Sequence, residues 1–236
     1  MKYKENKLLL DLKHFSKKFI KYFLITALCI HQLIFLFIMF LAFSLNIVNP
    51  KFTSLMLYRS VTDHQRNKKS VYIPLKHISK RVQSFVVGIE DYKFYEHEGI
   101  DPEAIVKAYN TNKRLGYRYS GGSTITQQLV RSLLLTPEKS YIRKYFEILI
   151  ALEFELFLSK DRILELYINN IEFGKGVYGI GRASIYYYHK SYYNLSMDEI
   201  NRLIAIIPNP RKYNPFNFYN NKKLLTRYII LTEWSS

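Results

Sequence analysis

Residues 22 to 50 contain no lysine, arginine, aspartate or glutamate. The stretch YFLITALCIHQLIFLFIMFLAFSLNIV is long enough to cross a bilayer, which takes about 20 mostly apolar residues. His31 and Gln32 interrupt it near the middle, as polar residues do in some membrane spans. A cleaved leader is the rival reading. Its apolar part runs to only about 7–15 residues and ends at a small-residue cleavage site. No such site follows this longer run, which favours a retained anchor. The single cysteine, Cys29, lies inside the run, so no intramolecular disulfide is available. Its apolar neighbours predict a buried, inert thiol.

Charge sets the direction of the anchor. The first 21 residues hold seven lysines against Glu5 and Asp11. Lysine-rich flanks stay on the cytoplasmic side. The rest of the chain is therefore expected on the outer face. Of the formal charge of +16, these 21 residues carry +5, leaving +11 for the remainder. A basic domain beside a membrane suits lipid-linked anionic material better than nucleic acid, which is not an expected partner. The expected organisation is a basic cytoplasmic tail over 1–21, an anchor over 22–48, a linker over 49–74 and one domain over 75–236.

The outer region reads as mainly α. Residues 51 to 75 alternate loosely and predict an extended linker or short strand before Pro74. From Ile78 the period turns helical, with Val82, Phe85, Val86 and Ile89 on one face. Pro102 follows Asp101 at a helix's first turn. PEAIVKAYNTNKR predicts a short amphipathic helix, and LGYRYSGG a loop. Another helix starts within SGGSTITQQLVR and runs to about Leu135. YIRKYFEILIALEFELFLS predicts a long apolar helix, and SKDRILELYINNIEF another behind a serine cap. GKGVYGIGRA is a glycine-rich turn, not a nucleotide-binding fingerprint, since its spacing is wrong and no strand precedes it. A helix capped at Ser196, with Glu199 three residues on, ends at PNPRKYNPF. No internal repeat is visible.

Several of these segments carry groups suited to chemistry. Thr124 and Gln127 match a capping box, and a helix mouth also offers donors to an anion. Arg131 lies one turn beyond, on the face of Gln127. Glu90 follows the apolar run FVVGI; apolar surroundings disfavour a charged carboxylate and suit it to proton transfer. Glu147 stands three residues from Lys144 and four from Arg143, either as an ordinary ion pair or as part of a site. His97 reads as a brace for its loop. No metal-ligand spacing is visible, so the metal is unknown.

Taken together, EDYKFYEHEGID, GGSTITQQLVR, RKYFE, ILELYINNIEFGKGVYGIGRAS and PNPRKYNPF resemble the peptidoglycan glycosyltransferases of the penicillin-binding-protein type, in order and spacing. The resemblance covers about residues 75 to 215. The chain ends soon after, so a monofunctional enzyme without a transpeptidase domain is expected. The resemblance implies a lysozyme-like α-helical fold and polymerisation of lipid II outside the cytoplasmic membrane. An acceptor 4-hydroxyl attacks the anomeric carbon of a chain carried on polyprenyl pyrophosphate, inverting to β-1,4. By resemblance Glu90 is the general base and Glu147 the second carboxylate, near the pyrophosphate, with magnesium or manganese as a candidate helper. The candidate substrate contacts are Lys107, Ser123, Thr124, Thr126, Gln127, Gln128, Arg131, Lys139, Arg143 and Lys144. Implied partners are lipid II, polyprenyl-pyrophosphate-linked glycan, membrane lipid and other cell-wall synthesis proteins.

The match is not uniform. The family usually has lysine at Arg131, often arginine at Lys107 and Lys139, and a small residue at Arg182. Arginine and lysine keep the charge but differ in donor geometry. A lysozyme-like wall-cleaving enzyme also fits a glutamate in a helical cleft, though it has no need of pyrophosphate-binding cations. A membrane-anchored binding protein, with both glutamates as surface charges, is the remaining alternative.

Overall fold

In a computed structural model of the chain, residues 2–117, 121–217, 219 and 221–235 are described, with side chains from residue 14 onward. The uncharged run lies up to Leu45 in one long helix, α1 (Lys2–Leu45), and its last residues fall beyond it. Residues 14–45 of it are apolar enough to cross a membrane. Most side chains from 15 to 33 are exposed, which is compatible with a membrane anchor. Cys29 is among them, so the expected burial fails: it was inferred from apolar neighbours in sequence, but those neighbours face outward too. The outer third behaves differently. Ile38, Ala42 and Leu45 are buried in the same core as the body of the protein.

The expected linker is not extended. Thr53 caps a helix, α2 (Ser54–Thr62), by accepting a hydrogen bond from the Met56 N–H. Met56 and Ile73 are buried, and Asn169 pairs through its side-chain amide with both the N–H and the carbonyl of Ile73. Residues 49–74 thus pack onto the body. The loose alternation did not reveal this, because a nine-residue helix has too few turns to show its period.

The body is helical, as expected: α3 (Lys80–Glu90), α4 (Pro102–Leu115), α5 (Ile125–Leu134), α6 (Tyr141–Phe157), α7 (Lys160–Asn170), α8 (Ile180–Tyr188), α9 (Met197–Ile206) and α10 (Lys222–Ser235). Their starts follow local chemistry. Ser79, Asp101, Thr124, Ser140, Ser159 and Ser196 each accept a backbone N–H at a helix N-terminus. Thr124 with Gln127 and Ser196 with Glu199 are full capping boxes. The glycine-rich segment forms a small antiparallel hairpin, β1 (Glu172–Gly174) and β2 (Val177–Tyr178).

The core gathers around α5 and α7. Ile125, Leu129 and Val130 of α5 and Ile163, Leu164, Leu166 and Tyr167 of α7 have no more than a trace of exposure. α6 lies between this core and the outer third of α1, and α9 and α10 close the opposite side. The sequence reading had no counterpart to α10. Asn221 caps it through the Leu224 N–H, Leu224 and Leu231 are buried, and the Trp234 ring packs on Phe85 of α3.

Candidate active site

A cleft of about 1150 Å³ opens between the end of α3, the start of α5 and the start of α10. Among the described residues, Glu90 is the only acidic residue lining it. Arg131, Lys139, Lys222, Lys223 and Arg227 line it as well, with Ser123, Gln128, Asn209 and Asn221 among the uncharged polar groups. Five cations around one carboxylate make a cleft suited to a substrate of several negative charges.

Glu90 is the last residue of α3, and its side chain is only 7% exposed. It does not sit in purely apolar surroundings, as FVVGI alone suggested. The Arg227 guanidinium donates to Oε1, and Gln128 Nε2 donates to Oε2 at 3.3 Å. Both partners come from distant segments, which is why local sequence did not show them. The Tyr167 hydroxyl donates to Gln128 Oε1 at 3.1 Å, which fixes the amide with its NH₂ toward Glu90. Burial, and then the negative charge of Glu90, hold the Tyr167 hydroxyl well above its ordinary 10, so it remains a donor.

Glu147 lies deeper and has no exposed side-chain surface. Lys144 Nζ contacts Oε1 at 2.6 Å, and Arg143 donates to Oε2. Lys144 Nζ also reaches Ser123 Oγ at 3.5 Å. Gln128 Nε2 lies 3.5 Å from the Ser123 carbonyl. One chain of polar contacts therefore runs from Arg227 through Glu90, Gln128, Ser123 and Lys144 to Glu147 and Arg143. A buried carboxylate with two cations is a compensated group. It contacts both Arg143 and Lys144, and Lys144 in turn reaches Ser123.

The mouth of α5 was expected to offer its donors to an anion. That place is already taken by Asp91. The Ile125 N–H donates to Asp91 Oδ2 at 2.8 Å. His97 Nε2 lies 3.0 Å from both oxygens of the same carboxylate. The Gly99 N–H donates to His97 Nδ1 at 3.1 Å, which leaves the ring hydrogen on Nε2 and directs it at Asp91. His97 is the brace that the sequence proposed. The helix dipole satisfies a neighbour of Glu90, not a ligand, and so anchors the end of α3 to α5.

The candidate contacts divide accordingly. Ser123, Gln128, Arg131 and Lys139 line the cleft. Among the described residues, neither Arg131 nor Lys139 has a hydrogen-bond or ion-pair partner. Thr124, Thr126 and Gln127 do not reach the cleft and are buried. The Thr124 hydroxyl donates to the Gly99 carbonyl at 2.7 Å, and the Thr126 hydroxyl donates to Glu155. These small polar groups serve caps and inter-helix contacts. Lys107 lies on α4 outside the cleft, 5.9 Å from the centre of the Tyr92 ring, in a separate surface hollow. Gly122 is small because α4 comes close: a Cβ there would stand 2.7 Å from the Ile105 Cα. Gly121 lines the cleft. Residues 118–120, part of the expected loop, lie outside the described residues.

Sequence reasoning missed Arg227, Lys222 and Lys223. The usable signal was present: Asn221 as a cap, then Leu224, Leu225, Tyr228 and Leu231 at helical spacing.

The donor set does not fit a resident divalent ion. Both oxygens of Glu147 are engaged by cations. Among the described residues no three histidine, cysteine, aspartate or glutamate side chains converge.

Comparison with known proteins decides the family. The Transglycosylase family profile matches residues 57–233. The chain belongs to the transglycosylase family. It is 40% identical over 189 residues to the biosynthetic peptidoglycan transglycosylase of Thiobacillus denitrificans, covering 78% of this chain and 80% of that one. Against the protein of the same name from Dechloromonas aromatica it is 42% identical over 171 residues, 71% of this chain and 74% of that one. It is also 42% identical over 164 residues to penicillin-binding protein 1A of Aquifex aeolicus, covering 70% of this chain but 22% of that longer one. The transglycosylase profile begins inside α2, in accord with the packing of residues 49–74 onto the body.

Proposed function

We propose that the chain is a peptidoglycan glycosyltransferase that polymerises lipid II into β-1,4-linked glycan strands, with inversion and release of polyprenyl pyrophosphate. The observation that carries this reading is the cleft itself: one carboxylate, Glu90, facing Arg131, Lys139, Lys222, Lys223 and Arg227. A wall-cleaving glycosidase needs an acid at a glycosidic oxygen but no cation cluster. An inverting transfer from a diphosphate needs both a base and positive charge at the leaving group.

In this reading Glu90 accepts the proton of the acceptor 4-hydroxyl as that oxygen attacks the anomeric carbon. The bond from that carbon to the diphosphate oxygen breaks, and the departing charge falls to Arg131 and Lys139, whose donors are not committed to described protein groups. Gln128 and Arg227 orient the base. Lys144, held by Glu147, extends the cationic wall past Ser123. No step is routed through a metal. A divalent ion at the pyrophosphate would take its ligands mainly from the phosphates and water.

The apolar helix α1 serves as the membrane anchor, with the lysine-rich start inside and the catalytic domain on the outer face of the cytoplasmic membrane. Other cell-wall synthesis proteins are expected neighbours there. The test is incubation of the full-length chain, in lipid vesicles, with lipid II. Polymer supports the reading, cleavage of preformed glycan supports the glycosidase, and neither outcome removes both.

A further inference from the structure

The reading above leaves the polar interruption of the anchor without a role. His31 lies 14 positions before the end of α1, so it stands about 21 Å down the helix from Leu45. Its ring is not free. Nδ1 lies 2.9 Å from the Ala27 carbonyl one turn earlier, and therefore carries the hydrogen. Nε2 is left as an acceptor, and the Tyr145 hydroxyl stands 3.1 Å from it. The two rings meet edge-on, with centroids 6.2 Å apart.

Tyr145 belongs to the second turn of α6, directly after Lys144 and two residues before Glu147. The far end of α6 is also tied to the anchor. Phe35 and Phe43 pack on Phe157, and Asn46 donates to the Phe157 carbonyl at 3.0 Å. The two helices thus run side by side in the same direction, joined at both ends of α6. At the far end the join is reinforced by the buried Ile38, Ala42 and Leu45. At the near end, where the charged cluster sits, Tyr141 and Ile142 are exposed, and the hydrogen bond from Tyr145 to His31 joins α6 to the anchor.

We propose that the His31–Tyr145 hydrogen bond is a lock between α1 and the body that sets the tilt of the start of α6 against the anchor, and through it the position of Lys144 and Glu147. The inference rests on the function proposed above. His31 and Tyr145 are positioning residues; neither touches the cleft. Where lipid rather than water surrounds His31, the loss of this hydrogen bond leaves a polar group without a ready substitute.

The experiment uses the full-length chain in lipid vesicles, with lipid II as substrate. The variants are His31→Phe, Tyr145→Phe, the double variant and His31→Gln. Each single apolar variant is expected to lower kcat about three- to tenfold with KM nearly unchanged. The double variant should lose no more than either single, since both remove one contact. His31→Gln, which keeps an acceptor, should recover much of the loss. Thermal melting of each variant should match the parent, because both side chains lie outside the buried core. Parent-like kcat in either phenylalanine variant, multiplying losses in the double, or no recovery with glutamine would overturn the lock. A wild-type chain that makes no polymer would instead sink the functional reading.

Discussion

Arg227 on α10 and Glu90 on α3 form an ion pair across 137 positions of sequence. Their side chains are 15% and 7% exposed. The C-terminal helix thus brings its own charge to the residue read as the base. Removing the guanidinium leaves Glu90 with Gln128 alone and an uncompensated charge in a mostly dry place. Arg227→Ala is expected to lower kcat/KM for lipid II polymerisation by about ten- to a hundredfold. Arg227→Lys should fall between it and the parent, since lysine keeps the charge without the fork. Unchanged kinetics in the alanine variant would take Arg227 out of the site.

Glu90→Gln removes the proton acceptor while keeping shape and one hydrogen-bond acceptor. General base catalysis is worth about 10²–10⁴-fold, and polymerisation should fall by that order. Melting temperature should stay within a few degrees of the parent. Parent-like turnover in this variant would falsify the base assignment.

Asp91, the next residue, should behave in the opposite way. It does not line the cleft and ties α3 to α5 through the Ile125 N–H and His97. Asp91→Asn loses a charge-assisted contact on a buried pair, and a cost of about 1–3 kcal/mol in stability is expected. Denaturant unfolding checks this. A variant as stable as the parent would show that the carboxylate is not the tie described.

Much of the fold was legible because it is written locally. Ser79, Asp101, Thr124, Ser159 and Ser196 mark helix starts by side-chain chemistry that needs no tertiary context, and the expected starts agree with them to within a residue or two. The long apolar helix α1 was legible for the same reason, as a run without charged residues. Glu90 and Glu147 were picked out by resemblance and by their neighbours in sequence. What was not legible depends on distance. Arg227 reaches Glu90 only because α10 folds back onto α3 and α9. The hydroxyls after Gly122 looked like a ligand wall, yet Thr124 and Thr126 turn inward to the Gly99 carbonyl and Glu155, because α5 has its polar start buried. The same helix mouth looked open to an anion until Asp91, 34 positions earlier in the chain, was seen to fill it.

Arg131 and Lys139 line the cleft without partners among the described residues, so their charge is available to a ligand. Arg131→Ala should weaken binding of a pyrophosphate-bearing substrate by about tenfold, the order expected of one charge-assisted contact. The loss should shrink at high salt, because screening already weakens the parent's attraction. Binding of a lipid-linked diphosphate measured at two salt concentrations tests both points, and equal affinity of parent and variant at low salt would exclude Arg131 from the contact.

Glu153 offers a test that is independent of catalysis. It sits on α6 between the buried Ile150 and Phe154, and its Oε2 has no hydrogen-bond partner among the described residues. Burial pushes its carboxyl up from 4.5 to about 7. Below pH 4.5 the folded and unfolded chains both hold this proton, and burial costs little. Between pH 4.5 and about 7 the unfolded chain ionises first while the folded chain keeps the proton, so stability falls as pH rises. Above about pH 7 the penalty is complete and constant. Glu153→Gln removes the ionisation and should flatten this decline. At pH 8 it should be more stable than the parent by on the order of 1–2 kcal/mol, and at pH 4 the two should be nearly equal. Unfolding of both proteins in denaturant across pH 4 to 8 is the measurement. A parent whose stability rises over that window, with the variant following it in parallel, would show that Glu153 is ionised and solvated in the folded chain.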